Sequence, residues 1–360
     1  MPINISFGGA TITRPGAYSA VDTSNMTPRS LGAFKILAVI GVPNVSNTLA
    51  GKVAYFNDSA VAKAAIGTSE LLDLMSIAWA HGADHIAAVP VAATALDTDW
   101  QTSVDLLQNE YVQGILGATT TATINAKLDA HCTLMSNTTN RKERRAFYGH
   151  ATGSTVTAIT ALQTALNNER GVMATPGVWY PDATGTLVLK GSHYLAAAYA
   201  GLWAGQAPQE PITYKSVKFS KLEKNYSQTE ISQLLAGYIA PTEFVPNKGF
   251  RIVQGVTLSN AADLTKNELS VSTLKDQMSI NLREYFENKY IGQAGVAGVE
   301  ITMYNDLVSM IEQFLAAGWI SGYVKDSVRV NKNGTAFSIE WEGKPTLPIN
   351  NFLITSHFTL

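Results

Sequence analysis

Between residues 36 and 204 the chain alternates strand-like and helix-like stretches with a steady beat, and that beat limits the fold more than any other feature. KILAVIGV (35–42) is a continuous apolar run, as a strand buried on both faces requires. SELLDLMSIAWAHG (69–82) follows with Leu71, Leu72, Met75, Ala78 and Trp79 at helical spacing. HIAAVPV (85–91), YVQGILGA (111–118), RRAFYGHA (144–151) and GVMATPGVWY (171–180) read as further strands. DTDWQTSVDLLQN (97–109), TATINAKLDAHCTLM (121–135), TVTAITALQTALNN (155–168) and GSHYLAAAYAGLWAG (191–205) read as the intervening helices. Repetition of this kind predicts an α/β fold with a mainly parallel sheet and helices on both faces.

The beat stops at AGQAPQEPITY (204–214), where prolines and polar residues interrupt it. A domain boundary is expected there. GFRIVQGVTLS (249–259) then reads as a strand, and 270–292 as a long helix with Val271, Leu274, Met278, Leu282, Tyr285 and Phe286 on its apolar side. A helix over 303–320 should bury Met303, Leu307, Met310, Ile311, Phe314 and Leu315 and turn Asn305, Asp306, Ser309, Glu312 and Gln313 outward. VKDSVRV–NKNG–TAFSIEW (324–341) reads as a hairpin turning at Asn333–Gly334. The expected division is an extended N-terminal arm (1–25), an α/β domain (26–208), a C-terminal α+β domain (209–323), and a hairpin with a final strand (324–360).

Both ends are strand-like. Ile3, Ile5 and Phe7 alternate with polar residues before Gly8–Gly9, and Pro15 fixes an extended stretch that reaches Tyr18. At the other end Phe352, Ile354, Phe358 and Leu360 share one parity of a period-two pattern. Chain ends normally fray, because ordering them costs entropy and makes few contacts. Apolar strands there are an aggregation hazard unless something covers them. Three arrangements satisfy the pattern: pairing within the subunit, a symmetric swap in a closed dimer, or addition of a strand to a neighbour's sheet. In the last, the hairpin is the acceptor, with Val328, Val330, Phe337 and Ile339 as its apolar positions. Gly8–Gly9 and Gly343–Lys344–Pro345 are the expected joints.

Composition narrows the function. Charged residues make up 15% of the chain, low for a surface that faces only water, and this suggests cover by other subunits. A net charge of −2 supplies no positive field for nucleic acid or anionic lipid. One cysteine, Cys132, rules out an internal disulfide and fits a reducing compartment. MPINISFGG has neither a basic nor an apolar signal region, and YLAAAYAGLWAG (194–205) is too short to span a bilayer, so a soluble cytoplasmic product without membrane insertion is expected.

The sequence carries no recognisable constellation for chemistry. The first strand runs into GVPNVSN (41–47), without the glycines of a dinucleotide loop, and the chain has no Walker loop and no Gly-x-Ser-x-Gly elbow. HGADH (81–85) spaces His81 and His85 like a helical zinc pair, but Gly82 stands where a zinc protease carries glutamate, and a capped helix end fits better. RKERR (141–145) is compact and basic without interleaved aromatics, so it reads as a solvated loop or a salt-bridge patch between subunits. Gly201-x-x-x-Gly205 reads as a close-packing helix face, and Cys132 as core. No catalytic residue, cofactor or metal ligand is assigned, and no enzyme activity is expected.

Several stretches in order resemble the contractile tail sheath proteins of myovirus-type bacteriophages and contractile bacteriocins. They are RPGAY (14–18), AVIG (38–41), GSHYLAAAYAGLWAG before a Pro-rich joint, FRIVQGVTLS before a long helix, and the final Pro-Ile-Asn strand. The resemblance implies a virion structural protein, made in the host cytoplasm, that forms hexameric rings stacked into a six-start helical polymer around an inner tube. It implies collapse from an extended to a wider state on a baseplate signal, and arms of neighbouring subunits joined in a shared sheet. It implies as partners further copies of the chain, the inner tail tube protein, and baseplate and tail terminator proteins. It places the C-terminal domain nearest the tube, so that Asp306, Ser309, Glu312 and Gln313 become the expected tube contact. The rivals are a non-contractile tube or capsid protein and, less favoured, an α/β enzyme with a degenerate site.

Overall fold

The structure is a computed structural model and describes residues 5–7, 10–12, 35–44, 49 and 51–350. The chain divides into two compact units, Met1–Ala33 and Phe34–Leu360. In the first, Ile5–Phe7 pairs antiparallel with Ala10–Ile12, with Phe7 opposite Ala10.

The second unit is built on a nine-stranded sheet. Leu37–Gly41 lies between Ile86–Pro90 and Gly114–Gly117, parallel to both, and Arg145–Tyr148 and Gly171–Thr175 extend the parallel set. In chain order the strands therefore run second, first, third, fourth, fifth, the flavodoxin-like order of a doubly wound sheet. Ala240–Val245, well beyond Gly205 in the chain, adds in parallel beside Gly171–Thr175. Gly249–Ile252 and Ser216–Val217 continue the sheet antiparallel, and Ala54–Phe56 closes the opposite edge.

Parity along the strands sorts two cores. Leu37, Val39, Ile86, Ala88, Leu116 and Phe147 face one way, under helices Glu70–Ala80 and His193–Gly205. Ala38, Ile40, Ala87, Val89, Ile115 and Ala146 face the other, with Trp100 and Val104 of helix Asp97–Leu106, and Ile124, Leu128 and Cys132 of helix Ala122–Met135. Helices Val156–Leu166 and Gln228–Ala236 contribute Ile159 and Leu234 to that second side. Burial on both faces explains why the strands read as unbroken apolar runs.

Several expectations need adjustment. The boundary placed at 208/209 cuts this sheet, because strands from 216 to 252 hydrogen-bond into it. The stretch 171–180 is two strands: Gly171–Thr175 stays in the main sheet, and Val178–Pro181 joins a small sheet with Leu187–Lys190 and Lys221–Leu222. Pro176, which has no N–H for a ladder, stands between them. Only Gly249–Ile252 of 249–259 is strand. The later helices are Leu269–Tyr290 and Val299–Ala316, and Leu315 is 37% exposed instead of buried.

Gly201 and Gly205 do more than touch the sheet. A Cβ on Gly201 would lie 2.4 Å from the Ala78 carbonyl oxygen, and one on Gly205 2.3 Å from that of Gly82. The two helices on that side thus meet backbone against backbone, which only glycine permits.

Candidate functional site

In a sheet of this order ligands bind where neighbouring strands depart to opposite sides, outside the carboxyl ends of the first and third strands. Between the first and third strands the backbones run close. Gly41 ends the first strand so close to Ala118 that an added Cβ would sit 2.7 Å from the Ala118 Cβ and 3.3 Å from the Leu71 Cβ. His81 is engaged elsewhere: its Nδ1 faces the Ile77 carbonyl at 2.7 Å and its Nε2 accepts the Lys218 N–H at 3.0 Å. Burial lowers its pKa, and the two partners fix the neutral ring. His85 lies on the surface beside Asp84. Among the described residues no group of three or more His, Cys, Asp or Glu is placed to hold a metal, and no helix is long and apolar enough to cross a membrane.

The RKERR run is split: Arg141 stays exposed, while its last two arginines are enclosed. Arg144 and Arg145 are each 1% exposed. Arg144 donates to the Glu110 carbonyl (2.6 Å) and to His131 Nε2 (2.6 Å). The other members form a ladder with the long helix Leu269–Tyr290. Arg145 and Arg170 converge on Asp276, Glu143 takes Arg283 in a two-pronged contact at 2.9 and 2.7 Å, and Arg141 pairs with Glu287. Asp276, Arg283 and Glu287 are seven and four residues apart, so they share one side of the helix. The helix's first two turns, from Leu269 to Leu274, are buried, and Trp203 Nε1–H donates to Thr273 at 2.9 Å. Beyond Asp276 polar pairs replace apolar burial: Leu282, Tyr285 and Phe286 are only half-buried.

At its far end the long helix meets Val299–Ala316 through Asp306. Asp306 pairs with Lys289 at 2.6 Å and accepts from the Tyr290 hydroxyl. Desolvation works against its charge, but those two partners win and hold its carboxyl below the usual range. Asp306 was expected to point outward; it joins two helices instead. Ser309, Glu312, Gln313 and Asn305 are exposed, although Glu312 accepts from the Tyr323 hydroxyl at 2.6 Å.

The tail hairpin is longer than its sequence pattern suggests. Ile320–Asn333 pairs with Ala336–Pro345, and the loop is Gly334–Thr335, with Asn333 opposite Ala336. Gly334, at φ 63°, takes the position that requires a left-handed residue. Gly343, Lys344 and Pro345, expected as a joint, are paired with Tyr323, Gly322 and Ile320. Val330 lies opposite Ile339 and Lys332 opposite Phe337, so Val328, Val330, Phe337, Ile339 and Trp341 share one face. That face is anchored at its base, where Phe314 stacks on Trp319 (centroids 5.3 Å) and Trp341 lies 6.3 Å from Phe314. Val328 is buried at 5% exposure in its own subunit, whereas Val330, Phe337 and Ile339 remain half-exposed.

After the hairpin, Thr346 bonds to the carbonyls of Trp319 and Gly318, and the Asn350 amide donates to Glu268 at 3.3 Å. Glu268 is 2% exposed, and burial raises its pKa above the usual carboxylate value. Ile3, Pro15, Tyr18, Phe352, Ile354, Phe358 and Leu360 lie outside the described residues; Ile5 and Phe7 lie in the short N-terminal strand pair. The sequence pattern missed the Arg–Asp–Glu ladder, whose only trace was the charge spacing along residues 276–287.

Residues 65–258 match the family model described as phage tail sheath protein central domain. The tail sheath protein of Bacillus phage SP01 is 26% identical over 264 residues, which is 72% of this chain and 45% of that protein. The chain thus spans about half the length of the curated relatives it matches. Among solved structures, the anti-feeding prophage helical sheath in its contracted state superposes with a TM-score of 0.73 at 12% identity, covering 96% of this chain and 98% of that one. A sheath tail protein from Desulfitobacterium hafniense gives 0.69 at 12% identity, covering 92% and 96%.

Proposed function

The chain belongs to the phage tail sheath protein family, and from that premise we propose that it is the repeating subunit of a contractile sheath. In this reading copies polymerise helically around an inner tube and pass from an extended to a wider, shorter state, driving the tube through a target envelope. The step is conformational: it redistributes buried surface between two packings and breaks no covalent bond. Strand exchange keeps neighbours linked while the bodies rotate. The final strand, with Phe352, Ile354, Phe358 and Leu360 on one parity, adds to a neighbour's hairpin, together with the N-terminal arm. Baseplate and terminator proteins bound the polymer at its ends.

The observation that carries this is the tail hairpin. It is a long two-stranded ribbon whose outer edges pair with no other strand among the described residues, and its apolar face is half-covered beyond Val328. A ribbon of two strands is marginal alone, and added strands complete it. Val330, Phe337 and Ile339 are the acceptor positions that remain accessible. With Asp306 engaged by Lys289, an inner-tube contact rests on Ser309, Gln313 and Glu312.

Deletion of residues 348–360 tests the reading. The expected product is folded, soluble and unable to form sheath by electron microscopy, with a thermal midpoint lowered by no more than loss of the Asn350–Glu268 bond would cause. Unfolding or outright aggregation of the truncated chain would make the strand an element of its own subunit's core and end this reading. Thin tubes without a wide lumen, formed by the full chain, would favour an inner-tube role.

A further inference from the structure

We propose that a second contact joins the α/β bodies of neighbouring copies: the lysine-bearing outer face of the small sheet meets the acidic outer side of helix Asp97–Leu106 on the next copy. This rests on the polymer reading above and adds a contact independent of the strand arms.

The small sheet sorts its residues by register. Val178 lies opposite Leu222 and Lys190, and Tyr180 opposite Val188; Val178 and Leu222 are buried in the first core. The other row faces away: Trp179 between Leu189 and Lys221, and Pro181 opposite Leu187. Leu187 is 44% and Leu189 37% exposed, so this row is an apolar strip in open view. The Lys221 ammonium sits over the Trp179 ring at 5.1 Å. Lys218, three residues earlier, is also exposed, and neither lysine has an ion-pair partner among the described residues.

Helix Asp97–Leu106 is the complement. It carries Asp97, Asp99 and Asp105 and no cation. Asp99 is used at the helix start, accepting from Thr94 Oγ1 and the Leu96 N–H. Asp97 and Asp105 are exposed, and glutamines 101 and 108 lie beside Asp105 on the same side. Trp100 and Val104 fix this helix on the second core, opposite the small sheet. The two charged surfaces therefore look away from each other across one sheet and cannot meet within a subunit. Between copies they can meet only head to tail, the kind of interface that propagates when its rotation does not close a ring. The strip of Leu187, Leu189 and Trp179 supplies apolar area at the centre, and the charges set register and approach.

The test is a charge exchange in the full-length chain, read by sedimentation velocity at low ionic strength, about 20 mM salt, where screening is weak. Lys218→Glu with Lys221→Glu places acid against acid. Asp97→Lys with Asp105→Lys places base against base. Each variant alone should self-associate at least about tenfold more weakly than the parent chain. An equimolar mixture should recover association, because each partner then offers one native and one exchanged pair. Lys52→Glu with Lys63→Glu changes net charge equally at exposed sites elsewhere and should by itself leave self-association as in the parent chain. Asp105→Lys alone serves if the double change weakens the helix start.

Unchanged association of the single-sign variants, or an equal loss of association in the control, would overturn the contact. Loss of polymer on deletion of 348–360 with normal behaviour of the charge variants would remove only this contact. Charge-matched association in a chain that never forms a sheath would remove only the sheath reading.

Discussion

Replacing Asp276 by alanine should destabilise the subunit more than any change at the outer rungs of the ladder. Arg145 is fully enclosed, its side chain 1% exposed, and among the described residues its one ion-pair partner is Asp276 Oδ2 at 3.2 Å. Its remaining bonds go to the Glu169 carbonyl (2.9 Å) and the Ser272 hydroxyl (3.0 Å). Arg170, 12% exposed, shares the same carboxylate and keeps only a 4.0 Å contact with Glu169 without it. Burial already lowers the Arg145 pKa to about 10, with Asp276 opposing the fall. The substitution leaves two enclosed guanidinium groups facing one distant carboxylate, and stranding a buried ion-pair partner costs about 3–5 kcal/mol. For a chain of this size that is about 4–7 °C in thermal midpoint. At the outer rung Arg141 and Glu287 are 50% and 43% exposed, and Glu287→Ala should cost less than about 1 kcal/mol. The assay is calorimetry of the unassembled chain with and without about 1 M salt, which contracts the screening length to roughly 3 Å. The outer effect should vanish in salt and the inner one persist. Equal small shifts at both positions would refute the claim that the enclosed Asp276 pairs dominate the ladder.

Gly201→Ala should cost about 1–3 kcal/mol, because the added methyl meets the Ala78 backbone, which cannot turn aside. Gly295→Ala, with open space around the site, is the matched control, and similar thermal shifts for both would dismiss the close-packing argument. Acid should weaken the α/β body through His131: burial, and then the Arg144 charge, push its pKa down from 6.5 to about 4. A base with a lowered folded pKa leaves the unfolded chain binding more protons between these values, so its contribution is complete above pH 6.5 and is lost as pH falls toward 4. The loss is about 2 kcal/mol by pH 5. His131→Gln should flatten urea-melt stability between pH 7 and 5, and an unchanged slope would contradict the assignment.

The α/β rhythm was readable in the sequence because each strand is buried on both faces, and such strands cannot be mistaken for solvent-facing ones. The boundary at 208/209 failed for the same local logic. Prolines 208 and 211 mark an irregular stretch, but Ala240–Val245 returns to the sheet from a distance that composition does not reveal. RKERR misled because charge in sequence usually means water in structure. Here Arg144 and Arg145 are enclosed by partners that lie anywhere from 13 to 131 residues away. Asp306 misled in a smaller way. Its helical position is outward relative to its own core, but the end of the long helix covers that side. The hairpin's register was off by one residue because Asn and Gly are both turn formers, and only the left-handed φ at Gly334 separates the choices.

The placement of charge connects these errors to the proposed function. A chain with only 15% charged residues commits several of them to contacts within the subunit: the ladder on the long helix, Lys289 with Asp306, and Arg251 with Glu243. Those contacts hold helices against bodies where apolar burial runs out, as along the long helix beyond Asp276. Apolar surface is meanwhile left on the hairpin beyond Val328 and on the outer row of the small sheet. A free-standing protein gains nothing from that distribution, since it exposes what water disfavours. A polymer subunit does gain: polar pairs keep each body rigid, and the apolar strips are covered by neighbours. Loss of the inner pairs should then soften the body before it weakens the polymer. The Asp276→Ala chain is therefore expected to assemble with normal arms yet give sheaths of irregular diameter by electron microscopy. Uniform sheaths from a chain that melts about 4–7 °C lower would separate rigidity of the body from order in the lattice.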